Sequence, residues 1–159
     1  AAEIGHSYLY NPFYKSGESP VMQVENLCAG WGIESRMRKD DIPKSSVLWE
    51  LCKGEQHKID CLMWGEGIRQ NDTYSIKVLD ETCEFFSIAL SNVICLFSPD
   101  TIAIGGGVSL IGEPLISRIN DYIKKYIYIN SRGRYKIVKS ELDEAVVLVG
   151  GLLLAGRAG

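Results

Sequence analysis

Glu3-Ile4-Gly5-His6 joins one of only two histidines in the chain to a carboxylate three residues earlier, and a second carboxylate, Glu25, follows nineteen positions after His6. Carboxylates accept paired hydroxyl hydrogen bonds and a neutral imidazole accepts or donates one, so these three groups suit a polyhydroxylated ligand. A second feature lies downstream, where the apolar run Thr101-Ile102-Ala103-Ile104 leads into Gly105-Gly106-Gly107. Glycines behind a strand let the backbone approach a ligand without an intervening Cβ and tolerate positive φ. Ligands also gather at the carboxyl ends of strands in open α/β sheets. The pair of features points to a sugar site and a nucleotide site on one domain. The triplet does not match G-x-G-x-x-G, and no Lys or Ser/Thr stands where a P-loop needs one, so dinucleotide and Walker-type binding have no support. On local letters alone the triplet reads equally as a tight strand-to-helix turn. Glu3 and His6 likewise read as a polar pair near a chain end, with Glu25 opening a helix. No hydroxyl or thiol nucleophile is placed against His6, and nothing marks covalent catalysis.

The rest of the composition narrows the setting for these residues. A chain of 159 residues, 46% apolar and 23% charged, fits one domain with a single core. The net charge of −3 provides no basic stripe, which argues against direct nucleic-acid contact. Arg132, Arg134, Lys136 and Lys139 are read as a solvated connection between a helix and a strand. Five cysteines, Cys28, Cys52, Cys61, Cys83 and Cys95, are an odd number without C-x-x-C spacing. Cys28, Cys83 and Cys95 fall on apolar faces, as free buried thiols do, and a reducing compartment, the cytoplasm, is expected. Cys52, His57 and Cys61 have no fourth ligand at a known spacing and read as helix-surface and core residues near a turn. No signal peptide is visible, and the most hydrophobic segment, residues 145–155, is too short for a bilayer and reads as a buried helix.

The elements that must position the candidate residues follow from pattern. Residues 1–24 read as extended structure around an Asn11-Pro12 turn flanked by Tyr8, Tyr10, Phe13 and Tyr14. From Glu25 the spacing predicts a helix to about Lys39, weakened by Gly30 and Gly32. Ser45 or Ser46 can cap a short helix through Cys52 that Gly54 ends. Ile76, Leu79, Cys83, Phe86, Leu90, Val93 and Phe97 form one long apolar stripe, capped at Asp72 or Thr73 and ended by Pro99. Residues 101–104 then form a buried parallel strand. Pro114 opens a helix whose inner face is Leu115, Ile119, Ile123 and Tyr126. Tyr135-Lys136-Ile137-Val138 is a second strand, and Asp143 caps a closing helix. Alternating helices and strands indicate an α/β domain.

Taken together, these motifs resemble the ROK family of bacterial sugar kinases and sugar-responsive repressors. Ala2-Glu3-Ile4-Gly5-His6 is similar to the family's G-E-I-G-H, and Glu25 falls on the last residue of its C-x-C-G-x-x-G-C-x-E. Ser98-Pro99-Asp100-Thr101-Ile102-Ala103-Ile104-Gly105-Gly106-Gly107 resembles its "NP-E-x-I-x-I-G-G-G" turn, and Val149-Gly150-Gly151-Leu152-Leu153-Leu154-Ala155 its closing "x-G-A-A-x-x-A" helix. The resemblance spans the whole chain. It implies the C-terminal half of an actin-like, ribonuclease H-like ATPase fold over residues 1–159, with 1–24 the strand and loop region and 25–159 the helical and α/β part. It also implies that Glu3, His6 and Glu25 hold sugar hydroxyls and that Gly105, Gly106 and Gly107 lie beside an adenine nucleotide. The parent would use ATP with Mg on a monosaccharide or amino sugar, and would form a homodimer. Two departures stand out. The family's zinc-binding thiolates are replaced by Ser16, Glu18 and Gln23, with Ser19 and Met22 at its glycines, so no structural zinc is expected and the loop should rest on its aromatics and Pro20. The phosphate-binding D-x-G-G-T segment and catalytic aspartate of the family lie in an N-terminal domain and are not in this sequence, so the chain is not expected to catalyse alone. The reading adopted is the sugar- and nucleotide-binding C-terminal lobe of a ROK-type sugar kinase; the alternative is the effector-binding and oligomerisation lobe of a ROK repressor, and a third is a non-catalytic dimerisation domain.

Overall fold

Short apolar segments separated by caps and glycines fold here into a helical body with two small sheets at its edges. The computed structural model describes residues 3–141 together with 155 and 156. A 3-10 turn, Ile4–His6, leads into strand β1, Tyr8–Tyr10, which pairs antiparallel with β2, Val21–Gln23, in the register Tyr8↔Gln23, Leu9↔Met22, Tyr10↔Val21. Helices α1, Val24–Cys28, and α2, Gly30–Met37, follow, then α3, Val47–Leu51, and α4, Cys61–Arg69. The long α5, Thr73–Phe97, runs to strand β3, Thr101–Ile104. Helix α6, Glu113–Tyr126, returns the chain to β4, Lys136–Lys139, which lies parallel to β3 with Ile102 opposite Ile137. The expected closing helix capped at Asp143 falls outside the described residues, apart from 155 and 156.

Helix α5 starts where the sequence places it. Asp72 is its N-cap, with Oδ2 accepting from the Ser75 amide at 2.9 Å, and Ser98 ends it in the left-handed region at φ 46° just before Pro99. Its apolar stripe is incomplete as an account of what it buries. Ser75, Thr82, Ser87 and Ser91 are buried too, because α5 is packed on more than one side, against α1, α4 and α6. Small hydroxyl residues let neighbours approach, and they satisfy their own hydrogen bonds: Ser87 Oγ donates to Ile119 O of α6 at 3.2 Å. Toward its end the helix outruns the core. Ile94 is buried, but Cys95, Leu96 and Phe97 are exposed, so the expected burial of Cys95 and Phe97 is corrected.

The helix expected to run from Glu25 to about Lys39 is instead two helices. Ala29 is extended (φ −77°, ψ 153°), its N–H donating to Glu25 O while its carbonyl accepts from Ile33 N. The break permits a close approach that only glycine tolerates: a Cβ on Gly32 would stand 2.5 Å from Asn26 O and 2.6 Å from Glu25 O. Residues 1–24 are extended only in part, since the 3-10 turn interrupts them. Tyr126, expected inside, lies at the surface and donates from Oη to Glu84 at 2.6 Å. Helix α4 has no counterpart in the sequence expectation. Asp60 caps it by accepting from Met63 N at 2.8 Å, and Trp64 and Ile68 anchor it one turn apart.

Candidate functional site

The 3-10 turn rests on α1. Gly5 permits this, because a Cβ there would stand 3.3 Å from Glu25 Cβ. The packing brings His6 Nε2 to 4.0 Å from Glu25 Oε1, uniting two residues far apart in sequence on one surface. Val24 N–H donates to Ser7 O at 2.9 Å and locks the turn to the start of the helix. Glu3 sits on the same turn, exposed, with its carbonyl accepting from His6 N at 3.3 Å. His6 is half to two-thirds exposed and the Glu25 side chain about one-third, so both polar groups remain available to a ligand.

The glycine turn lies elsewhere in the molecule. Gly105, Gly106 and Gly107 form one wall of a cleft of about 1070 Å³. Gly106 has φ +86° and a Cβ there would meet nothing within 4 Å, so its backbone faces open space with positive φ that an L side chain adopts only under strain. Ser109 N and Oγ both bond Gly106 O, at 2.9 and 2.7 Å, and fix the turn against the 3-10 segment Gly107–Ile111. The opposite wall is α4 together with the start of α2. Glu34 pins α2 to the start of α4, its Oε1 accepting from Cys61 N at 3.0 Å, while Arg38 at the end of α2 donates Nη2 to Glu34 Oε2 at 3.1 Å and Nε to Ile59 O at 2.8 Å. Trp31, 55% exposed, stands at the rim with Leu62 and Leu110. Cleft volumes of several hundred to about 1000 Å³ with apolar walls and few polar groups are typical of small-molecule sites.

Sequence reasoning missed the α4 and α2 wall. Gly65 and Gly67 dilute the helical pattern of α4, and the usable signal was the Asp60 cap followed by Trp64 and Ile68. Two cysteines border this cleft, and both thiols are unreactive in kind. Burial pushes Cys28 up to about 12, against a lowering by the Arg36 charge. Burial, reinforced by Glu34 and Asp60, pushes Cys61 up to about 12. Cys61 Sγ donates instead to Gly30 O at 3.5 Å, Cys52 is buried with its Sγ on Trp49 O, and His57 is exposed. Cys52, His57 and Cys61 therefore do not converge, and among the described residues no group of three His, Cys, Asp or Glu is arranged to hold a metal.

The donors at the zinc-loop positions do not fit a zinc ion. Gln23 lies within β2 opposite Tyr8, and Glu18 Oε2 accepts from Lys15 N at 3.3 Å within the loop's own turn. A serine, a glutamate and an amide replace soft thiolates around one histidine. The expectation that the loop rests on its aromatics and Pro20 holds in part: Tyr8, Tyr10 and Tyr14 are exposed, whereas the Phe13 ring meets Phe85 edge-on at 5.9 Å. Buried Asn11 organises it: Asn11 N donates to Pro20 O at 2.8 Å, Nδ2 to Ser19 O at 3.2 Å, and Oδ1 accepts from Phe13 N at 2.9 Å.

With this geometry established, the chain matches the ROK family model over residues 1–158. It is 29% identical over 106 residues to a glucokinase from Thermotoga maritima, covering 67% of this chain and 33% of that protein. A ROK family glucokinase from Streptomyces griseus in complex with glucose and AMPPNP superposes with a TM-score of 0.82 at 25% identity, covering 100% of this chain and 52% of that one. A ROK family transcriptional regulator, a homologue of the Escherichia coli MLC protein, shares the fold at a TM-score of 0.63 and 19% identity, covering 86% of this chain and 34% of that one. The chain thus spans between a third and about half of these relatives. Its helix-rich α/β architecture with short parallel strands is that of ROK sugar kinases, an actin-like ATPase fold. No helix among the described residues is long and apolar enough to cross a membrane.

Proposed function

Because the chain belongs to the ROK family, we propose that it forms the sugar- and nucleotide-binding C-terminal lobe of a ROK-type, ATP-dependent sugar kinase. The observation carrying this reading is the convergence of His6 and Glu25 at 4.0 Å across the Gly5 contact, on a turn that also bears Glu3. These three residues accept and donate hydrogen bonds to hydroxyls of a monosaccharide or amino sugar. The cleft walled by Gly105 to Gly107 receives the adenine nucleotide, whose backbone-lined edge and apolar rim suit a planar base. Magnesium accompanies the nucleotide in the assembled protein, and the loop carries no structural zinc. The base that accepts the sugar proton and the phosphate clamp belong to the N-terminal lobe, so this lobe alone binds without phosphorylating. The assembled protein is a cytoplasmic homodimer, and this lobe contacts no nucleic acid directly.

The likeness in fold to a transcriptional regulator favours one second reading, the effector-binding and oligomerisation lobe of a ROK repressor. A coupled phosphorylation assay over hexoses and amino sugars decides between them, run on the 159-residue chain and on a protein carrying the upstream lobe. The kinase reading requires turnover by the longer protein only. Turnover by the short chain overturns the division of labour. An inert longer protein whose binding to an operator responds to sugar moves the function to repression.

A further inference from the structure

The loop joining β1 to β2 is exposed at every residue from 14 to 20, yet one of its side chains reaches the helical body. The Phe13 ring stands edge-on to Phe85 of α5, with centroids 5.9 Å apart and planes at 89°. Arg36 of α2 completes the cluster, its guanidinium carbon 5.3 Å from the Phe13 centroid and 6.0 Å from that of Phe85. One end of the guanidinium is anchored, Nη2 donating to Thr82 Oγ1 at 2.9 Å and to Val78 O at 3.4 Å. Its Nε and Nη1 are buried with no hydrogen-bond partner among the described residues, so this part of the cation is compensated by the two aromatic rings and by the charge of Glu81 rather than by hydrogen bonds. A desolvated guanidinium gains more from a ring quadrupole than an exposed one does, and an edge-to-face aromatic pair adds to it.

We propose that Phe13, Arg36 and Phe85 form a metal-free clamp that fixes the β1–β2 loop on the helical body, and that through the β1–β2 pairing and the Val24–Ser7 hydrogen bond they act as positioning residues for His6 and Glu25. The donor set Ser16, Glu18 and Gln23 leaves the loop without a metal anchor, and the clamp supplies the attachment at a different point, in the loop's first turn. Its second half rests on the proposed sugar site. Its first half does not, so the two are tested by separate readouts.

Limited trypsinolysis of the full-length protein, followed by mass spectrometry of cleavage after the exposed Lys15, reads the loop directly. Native protein is cleaved at one rate whether EDTA or zinc is added. Phe13→Ala and Arg36→Met each accelerate cleavage after Lys15 roughly tenfold, while cleavage after Lys77 in α5 stays unchanged. Phe13→Leu, which keeps apolar bulk and loses the ring, accelerates it by about threefold, and Arg36→Lys falls between native and Arg36→Met. Faster cleavage of the native protein in EDTA, or no acceleration in Phe13→Ala, overturns the clamp. For the positioning role, the same variants, made in the protein carrying the upstream lobe, raise KM for D-glucose with kcat unchanged; unchanged KM in variants with a loosened loop overturns that role. Native protein that neither binds nor phosphorylates D-glucose or any other hexose removes the sugar-site reading, and Lys15 cleavage still decides the clamp.

Discussion

Gly5 is what lets His6 and Glu25 meet, since a Cβ there would press on Glu25 Cβ at 3.3 Å while His6 Nε2 stands 4.0 Å from Glu25 Oε1. Substituting either should weaken sugar binding by roughly ten- to a hundredfold, since a hydrogen bond to a charged group is worth about 1.5–3 kcal/mol. Calorimetric titration of Glu25→Gln and His6→Ala with D-glucose and with an amino sugar checks this, and unchanged affinity in both would remove them from the site. Gly106→Val should impair nucleotide binding instead while leaving sugar affinity in place. Its effect arises from the positive φ of +86° and from a branched side chain entering the open cleft, not from any clash with the protein, because a Cβ there meets nothing within 4 Å. Fluorescence titration with an adenine nucleotide measures the loss of binding, and the backbone strain, about 1–3 kcal/mol, appears separately as lowered stability of the variant.

Among the elements, the caps were legible and the packing was not. Ser46, Asp72, Gly54 and Pro99 begin or end helices as their types require. By contrast, the break at Ala29 was invisible, because it depends on Gly32 meeting two carbonyls of α1 that only the folded arrangement brings near. Gly32→Ala should therefore cost about 1–3 kcal/mol in urea denaturation. It should also weaken sugar binding, because one of the obstructing carbonyls belongs to Glu25. The junction of α3 and α5 gives a pH-dependent prediction. Asp72 accepts from Ser46 Oγ at 2.9 Å, Val47 N at 3.1 Å, Ser75 N at 2.9 Å and Ser75 Oγ at 2.7 Å, capping two helices with one carboxylate. Burial alone would raise its pKa, but these four hydrogen bonds outweigh it and hold the carboxyl below its ordinary 3.8. A depressed folded-state pKa means the stabilisation is complete above that ordinary value and is lost as pH falls below it toward the folded value. Asp72→Ala should cost about 2–4 kcal/mol at neutral pH. In thermal melts Asp72→Asn should flatten the loss of stability below pH 4; an equally steep acid limb in that variant would count against the assignment.

For the molecule as a whole, the α/β class, the parallel pairing of β3 with β4 and the long central helix could be read from alternation and periodicity. The burial of α5 on several sides could not, since its buried Ser75, Thr82, Ser87 and Ser91 read as polar. The cleft was half legible for the same kind of reason: its glycine wall is a motif, whereas its α4 wall is an ordinary helix diluted by Gly65 and Gly67. Association belongs to this scale too. Leu96 and Phe97 are 76% and 70% exposed at the end of α5, and exposed apolar surface tends to mark interfaces. Light scattering should show a dimer at micromolar concentration, and a monomer at high concentration would refute it.

The distribution of thiols has a use at the bench. Of the five cysteines, Cys52 and Cys83 are buried, Cys28 and Cys61 are half-covered with thiols raised to about 12, and Cys95 is exposed on the last turn of α5. Thiol alkylation needs an accessible sulfur, and exposure singles out Cys95. A maleimide fluorophore should therefore attach once, with no engineered substitution, at the helix end that immediately precedes β3 and the glycine turn. That places a natural reporter ten residues upstream of Gly105 in the chain, where a change in emission on adding nucleotide would report a movement carried from the glycine turn through β3.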